Sequence, residues 1–298
     1  MATFDTLDLE FMGVEQLIAA YAVELDDGWL LVEPGPASSV DDLDRQAAGC
    51  GLGPENLRGI FVTHVHLDHA GAAGTLARRS GCPVWVHPEG RRHLADPEAK
   101  LLPSAKRLYG DLMETLWGRI EAVPADQLRT VEDGETVRIG GVEVRGWHTP
   151  GHAKHHVCWQ IGDAIATGDV AGVRFPGADH VLPPTPPPDI DVAAWRRSIR
   201  TVRSLAPARL LLAHYGAVDD VDRHLDELEG RMVRWWALAR DAAAEEAGPE
   251  ALAVRLLELD EVELTSAGVG PGATERYRRL CPMDANAAGL YRNAVAAG

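Results

Sequence analysis

The segment Thr63–His69 has the sequence T-H-V-H-L-D-H, which gathers three histidines and one aspartate within six residues. Imidazole and carboxylate groups together suit zinc first, with iron and manganese next. His64 and His66 are two positions apart, so an extended backbone can direct both rings at one ion. Asp68 and His69 open the following turn and can serve a second position, whereas a helix cap would need only one aspartate. The segment therefore predicts ligands for two metal ions.

Three later positions repeat one pattern, an apolar predicted strand followed by a histidine or an aspartate with glycine close by. They are His152 in H-T-P-G-H, Asp169 in T-G-D and His214 in A-H-Y-G. Groups at the carboxyl ends of several strands can build one site in a layered sheet. Each residue alone is more typical of a structural role, but together with Thr63–His69 they indicate one shared site.

Short apolar runs and glycine turns predict the elements that must hold these side chains. Residues 59–63 form a continuous apolar run, typical of a strand covered on both faces, and a helix at 70–79 and a strand at 84–87 follow it. A last buried strand is predicted at 209–213, and from Val218 onward apolar residues recur at helical spacing. Hairpins are predicted around the glycine turns at 26–28, 140–141 and 162–163.

Residues 173–191 are rich in proline and interrupt this order. Prolines at this density exclude a regular helix or strand, and we expect the segment to lie over the surface as a stiff flap. The pattern on either side predicts a catalytic domain over residues 1–217 and a C-terminal helical extension over residues 218–298.

The segments H-V-H-L-D-H, G-H at 151–152, G-D-V at 168–170 and A-H-Y-G at 213–216 resemble the metallo-β-lactamase superfamily of metallohydrolases. The resemblance implies an α/β fold, a four-layer αββα metallo-β-lactamase sandwich with a C-terminal helical extension, and a dinuclear metal centre. Carried over position by position, it implies that one ion is held by His64, His66 and His152, and the other by Asp68, His69 and His214, with Asp169 bridging them. It also makes His148 and His156 outer groups around these ligands. Glu33 stands where many relatives have an aspartate.

This ligand set predicts metal-dependent hydrolysis. Coordination lowers the pKa of water to about 7, which makes hydroxide available at neutral pH. We expect two divalent ions, Zn²⁺ ahead of Fe or Mn, bridged by a hydroxide that attacks the carbonyl of a small ester, thioester or lactone. The ions outweigh the charges of Asp68, Asp169 and the hydroxide, which favours a small anionic or carbonyl-containing substrate. Asp68 is the expected proton acceptor.

Four further side chains are candidates for substrate binding. Tyr215 stands beside a predicted ligand and can donate to a substrate oxyanion, or else belong to the core. Arg174 and His180 lie in the proline-rich segment, where a solvated loop residue is the alternative for each. His156 can serve as a pocket group. In the helical tail, Trp235 and Trp236 are expected to pack between helices rather than to cover the pocket.

The composition limits the classes of function. Of 298 residues, 29 are Lys or Arg and 45 are Asp or Glu, a formal charge of −16 that repels nucleic acid and anionic membranes. The four cysteines are too scattered for a disulfide scaffold, and the N-terminal residues lack a signal-peptide pattern. We therefore expect a cytoplasmic enzyme with a small-molecule substrate, without a nucleic-acid or membrane partner, and with a homodimer left open.

Other activities on the same fold stay open. A non-haem iron oxidoreductase similar to persulfide dioxygenases would use one iron, and the complete ligand set favours two ions. A phosphodiesterase similar to tRNA-processing nucleases is disfavoured by the acidic charge. A true β-lactamase commonly presents cysteine where Asp169 stands. A ligand-binding descendant without activity would be expected to have lost ligands.

Overall fold

A computed structural model describes residues 3–298, and their contacts divide the chain into two compact units. The first unit comprises residues 3–148 and 155–168, and the second comprises residues 149–154 and 169–298. Within residues 3–298, no helix combines the length and the apolar character that crossing a bilayer requires. The predicted boundary between residues 217 and 218 stays a prediction.

The first sheet of the first unit has its strands in sequence order. Strands β1 to β3 pair antiparallel and β3 to β6 pair parallel. The strands are β1 (Phe4–Asp8), β2 (Ala19–Leu25), β3 (Gly28–Val32), β4 (Leu57–Phe61), β5 (Val84–Val86) and β6 (Leu128–Thr130). The turn between β2 and β3 confirms the predicted hairpin at 26–28.

Helices fill the connections that parallel strands require, because such strands cannot be joined by a tight turn. Helix α1 (Val40–Gly49) lies between β3 and β4, and α2 (Leu67–Ala70) and α3 (Ala73–Ser80) lie between β4 and β5. The connection from β5 to β6 contains α4 (Pro88–Ala95), α5 (Leu101–Tyr109) and α6 (Met113–Trp117). The β-α-β unit predicted over residues 59–87 is confirmed.

The second sheet contributes four antiparallel strands to the first unit, in the order β10-β9-β8-β7. They are β7 (Thr136–Ile139), β8 (Val142–His148), β9 (Val157–Ile161) and β10 (Ala164–Gly168). Gly140 and Gly141 both have positive φ in the turn between β7 and β8, which is why a glycine pair is needed there. The Phe61 ring of β4 meets Trp159 of β9 edge-on at 5.0 Å between centroids. The core of this unit therefore lies between the two sheets.

The second unit is mainly helical. Its elements are α7 (Val192–Ser204), β11 (Arg209–Leu212), β12 (Gly216–Val218), α8 (Val221–Ala244), α9 (Gly248–Ser266), α10 (Pro271–Leu280) and α11 (Met283–Ala297). Asp191 caps α7, because its carboxylate accepts a hydrogen bond from the Ala194 N–H at 2.9 Å. Leu225, Leu228 and Trp235 of α8 are fully buried. The predicted helical tail and the packing interpretation of Trp235 are confirmed.

The proline-rich segment is not a surface flap, and that expectation was wrong for most of its length. Residues 180–185 are all buried, and Val173 and Leu182 pair through two backbone hydrogen bonds of 2.8 and 2.9 Å. The segment is irregular, as its prolines dictate, but its backbone groups find partners among side chains of the C-terminal helices. Buried irregular backbone is tolerated when its polar groups are satisfied in this way.

Candidate functional site

In the first unit, the candidate ligands begin with His64, the third residue after β4 ends. The side chain of His64 is fully buried, and its Nδ1 lies 3.1 Å from the Thr63 hydroxyl. Its other nitrogen, Nε2, lies 3.0 Å from Nδ1 of His66. The backbone at His66 is extended, as predicted. Two imidazole nitrogens therefore face each other across a distance at which a shared cation or proton is required.

Asp68 and His69 lie in the short helix α2 that follows. His69 Nε2 is 3.5 Å from the Asp68 carboxylate, and the His69 ring is buried while Asp68 keeps partial exposure. The opposite nitrogen, Nδ1, donates to the carboxylate of Glu33, and the second Glu33 oxygen accepts from the Thr63 N–H at 2.9 Å. Glu33 thus selects the tautomer of His69 in which Nδ1 carries the proton and Nε2 does not.

In the second unit, Asp169 stands between two histidines. Its Oδ2 is 3.2 Å from Nε2 of His152, and its Oδ1 is 3.4 Å from Nε2 of His214. All three side chains are buried. His152 Nδ1 donates to the carbonyl of Pro184 at 2.9 Å, so its Nε2 is the atom directed at the carboxylate. Each oxygen of one buried carboxylate therefore faces a different imidazole.

The glycine at the end of β10 is required by close packing around the first-unit ligands. Gly168 has a φ of +48°, and a Cβ there would come within 2.7 Å of Nε2 of His156. His156 is itself buried, with its ring stacked on His64 at 5.2 Å between centroids. The structure therefore brings His156 against a predicted ligand, which agrees with an outer position, and its substrate role stays a prediction.

The other predicted substrate residues are held by contacts within the second unit. The guanidinium of Arg174 pairs with Asp179 at 3.0 Å and Asp220 at 2.8 Å, while its backbone N–H donates to the carbonyl of His214. Tyr215 is half-buried. Their proposed contacts with substrate stay predictions.

His180 is fully buried in a polar cluster that the sequence did not indicate. Its Nε2 lies 2.8 Å from the carboxylate of Asp260, and its Nδ1 accepts from Arg231 at 3.0 Å. Arg231 also bonds Glu263 and the Val181 carbonyl. These groups join the proline-rich segment to α8 and α9, and a substrate role for His180 stays a prediction.

A second histidine pair lies in the first unit. His148 stacks on His87 at 4.0 Å between ring centroids. Burial, and then the neighbouring His148, lower the pKa of His87 to about 4, so its ring is neutral at physiological pH. This neutral ring caps α4 by accepting from the Glu89 N–H. His87 therefore has a structural role, as the cap of α4.

Sequence reasoning missed the partners that orient the ligands from a distance. The carbonyl of Pro184 and the side chains that hold its segment carry no motif, and Asn286, which binds the neighbouring Thr185, lies 101 residues further along the chain. The sequence indicated only that Glu33 stands where many relatives have an aspartate, and it did not predict the contact of Glu33 with His69.

Comparison with known proteins identifies the family. A model of the metallo-β-lactamase superfamily matches residues 15–214, about two thirds of the chain. The chain belongs to this superfamily. Over 203 residues this superfamily member is 33% identical to the metallo-β-lactamase fold-containing protein ST1585 of Sulfurisphaera tokodaii. The aligned region spans 67% of this chain and 74% of that protein. The crystal structure of ST1585 matches with a TM-score of 0.63 and 28% identity, over 77% of this chain and 86% of that chain.

Two further relatives carry names of enzymes. A probable metallo-hydrolase of Burkholderia pseudomallei is 30% identical over 185 residues, which span 59% of this chain and 57% of that protein. The atrochrysone carboxyl ACP thioesterase of Aspergillus fumigatus is 30% identical over 169 residues, or 56% of this chain and 30% of that protein. The matched regions thus span less than two thirds of both relatives.

These comparisons bear out the fold class and the coarse activity. The two sheets, their helices and the C-terminal helical region match the metallo-β-lactamase fold. Metallo-hydrolases among the relatives support a metal-dependent hydrolase at the level of the superfamily. The histidine and aspartate groups of this superfamily member could hold metal.

Proposed function

We propose that this protein is a dinuclear metal-dependent hydrolase that cleaves a small ester, thioester or lactone. Seven side chains would hold the two ions, with Zn²⁺ ahead of Fe or Mn. As the family resemblance implies, one ion would be held by His64, His66 and His152, the other by Asp68, His69 and His214, and Asp169 would be a ligand of both.

The observation that carries the proposal is the arrangement around Asp169. Its two oxygens lie 3.2 and 3.4 Å from the Nε2 atoms of His152 and His214, which are different rings on different segments. A carboxylate that merely balanced one protonated histidine would not need a second ring on its other oxygen. A carboxylate that served two ions would need both contacts, and the burial of all three groups would favour a charge-balancing cation.

The donor set fits divalent metal ions of borderline softness. Imidazole nitrogens and carboxylate oxygens are the ligands that zinc takes in catalytic sites, and cysteine is absent from the set. His69 and His152 each donate from Nδ1 to an oxygen, of Glu33 and Pro184 respectively, and present Nε2. A hydrogen bond from one ring nitrogen to such an acceptor fixes the tautomer and the orientation of a neutral histidine, so that its other nitrogen can coordinate a metal ion.

The residues of the chain have distinct tasks in the proposed reaction. Bound divalent ions would supply polarisation of the substrate carbonyl and water with a pKa of about 7. The Asp68 side chain keeps partial exposure, which suits a group that accepts a proton from water and passes it on. Glu33 and the Pro184 carbonyl keep their histidines oriented through the cycle.

The substrate class follows from charge and from one relative. The formal charge of −16 disfavours nucleic acid, and bound ions would be the local centre of positive charge among the acidic groups. A small substrate with a polarised carbonyl suits that setting. The thioesterase among the relatives favours testing thioesters first.

The test measures metal content and hydrolysis on one sample purified without added metal. We expect two equivalents of metal, hydrolysis within a panel of thioesters, lactones and esters, and loss of activity with a chelator that zinc reverses. His214→Ala should lose metal and activity, whereas His93→Ala, a histidine outside the set, should keep both.

Other outcomes of the same measurement would contradict the proposal. Stoichiometric iron with oxygen consumption would favour the oxidoreductase alternative. Cleavage of phosphodiesters with no hydrolysis of carbonyl substrates would favour a phosphodiesterase, and hydrolysis of β-lactams alone would favour a β-lactamase. Protein that binds none of zinc, manganese and iron would refute the metal centre itself.

A further inference from the structure

The last helix, α11, holds the proline-rich segment through one asparagine. Asn286 Oδ1 accepts from the Thr185 N–H at 2.7 Å, and the Thr185 hydroxyl donates to the Asn286 carbonyl at 3.1 Å. The Asn286 amide nitrogen donates to the Cys281 carbonyl at 3.2 Å, which fixes which way the side-chain amide faces. Both residues are almost completely buried, so water cannot replace these bonds.

The backbone of α11 also lies directly against the segment at this point. A Cβ on Gly289 would overlap the Thr185 carbonyl oxygen and come within 2.9 Å of the Pro186 carbonyl carbon. The helix therefore approaches the segment as closely as two backbones can, and the segment cannot shift toward it.

The peptide unit that Asn286 holds is the one that contacts a proposed metal ligand. The Thr185 N–H and the Pro184 carbonyl belong to one planar trans peptide, so their directions are fixed relative to each other. Asn286 binds the N–H end, and His152 Nδ1 donates to the carbonyl end at 2.9 Å. Rotation of this peptide would therefore turn the acceptor away from His152.

The geometry points to Asn286 as a positioning residue for His152, an inference that rests on the proposed metal centre. By holding the Pro184–Thr185 peptide in one orientation, Asn286 keeps the proton of His152 on Nδ1 and Nε2 directed at Asp169. The last helix thereby determines the tautomer and the orientation of His152, one of the proposed metal ligands, although Asn286 is not a member of the proposed ligand set.

Two variants separate this role from general support of the fold. Asn286→Ala removes the acceptor that orients the peptide. Thr185→Val is the matched control, because it removes the buried hydroxyl bond at the same place and keeps the peptide N–H on Asn286. Asn286→Ser, which is too short to reach Thr185, serves as a milder variant if the alanine protein does not fold.

The first readout is the affinity for zinc alone, measured by chelator competition on folded protein. We expect Asn286→Ala to bind zinc about tenfold more weakly, the lower end of the loss that removal of an outer partner causes. Thr185→Val should stay close to wild type although its melting temperature falls. Equal zinc affinity in all three proteins, or an equal loss in both variants, would overturn the inference.

The second readout needs no metal. Nitrogen-15 NMR of the metal-free protein should report the Nδ1–H tautomer for His152 in wild type and in Thr185→Val, and a mixture of tautomers in Asn286→Ala. An unchanged tautomer in Asn286→Ala would contradict the role of Asn286 even if the protein binds zinc. Wild-type protein that binds no zinc would instead refute the proposed function.

Discussion

The candidate ligands of the two units are positioned in different ways. In the first unit they lie within six consecutive residues, and a single carboxylate, Glu33, at the end of the neighbouring strand orients His69. In the second unit they come from three separate segments, and His152 is oriented by a backbone carbonyl whose peptide α11 holds. In the first arrangement, one side chain orients another by direct contact. In the second, the orienting group is a backbone peptide, and the side chain that holds this peptide lies 101 residues further along the chain.

This difference has a consequence for how the two sets tolerate change. The first-unit ligands depend on one strand end and should resist alterations elsewhere in the molecule. The second-unit ligands depend on the packing of the C-terminal helices, so substitutions far from them in sequence should reach them.

The largest expected effect belongs to the first set. Asp68→Asn should lower the turnover number by about 10²- to 10⁴-fold, because the proton acceptor is lost, while the free energy of unfolding changes little for this partly exposed side chain. Steady-state kinetics and denaturant unfolding on the same preparation check both parts. A variant with near-normal turnover would show that Asp68 has no such role.

The next effect measures how strongly the short arrangement depends on its single partner. Glu33→Ala should weaken zinc binding by about 10- to 100-fold, because His69 loses the acceptor of its Nδ1 proton. It should also destabilise the fold by about 1–3 kcal/mol, since the buried Thr63 N–H loses its partner. Chelator competition and thermal unfolding provide the two values. A loss smaller than that of Asn286→Ala would reverse our ranking of the two arrangements.

Gly289→Ala tests the longer arrangement through packing alone. The added methyl group meets the Thr185 carbonyl, so we expect a loss of about 1–3 kcal/mol in the free energy of unfolding, typical of overpacking. Gly230→Ala, a glycine inside α8 with only the end of the Arg234 side chain nearby, is the control and should be tolerated. Equal stabilities of the two variants would mean that the segment yields to the helix.

The smallest effect is expected where neither arrangement is involved. Arg79→Ala in the first unit and Arg203→Ala in the second remove exposed ion pairs with Asp44 and with Asp222 and Asp226. Each should cost less than about 1 kcal/mol, as exposed pairs do, and leave the affinity for zinc unchanged. A change in zinc affinity in either variant would show that the ligands of that unit respond to the surface as well.

The failure of the surface-flap prediction has the same origin as the missed role of Asn286. Proline content correctly excluded regular structure in residues 173–191, but it carries no information about burial. The segment is buried because Arg231, Tyr277 and Asn286, all distant in sequence, supply partners for its backbone. Side chains that contact each other only after folding leave no spacing or periodicity to detect.

The amino-acid sequence alone determined which residue types could hold metal, the strands and turns that precede them, and the helical character of the C-terminal region. Those features are local, since they depend on ligand chemistry, on short apolar runs and on residues a few positions apart. Only the tertiary structure decided which nitrogen each histidine presents, because that choice depends on an acceptor at its other nitrogen. For His69 and His152 those acceptors are Glu33 and Pro184, which folding brings to the rings from 36 and 32 residues away.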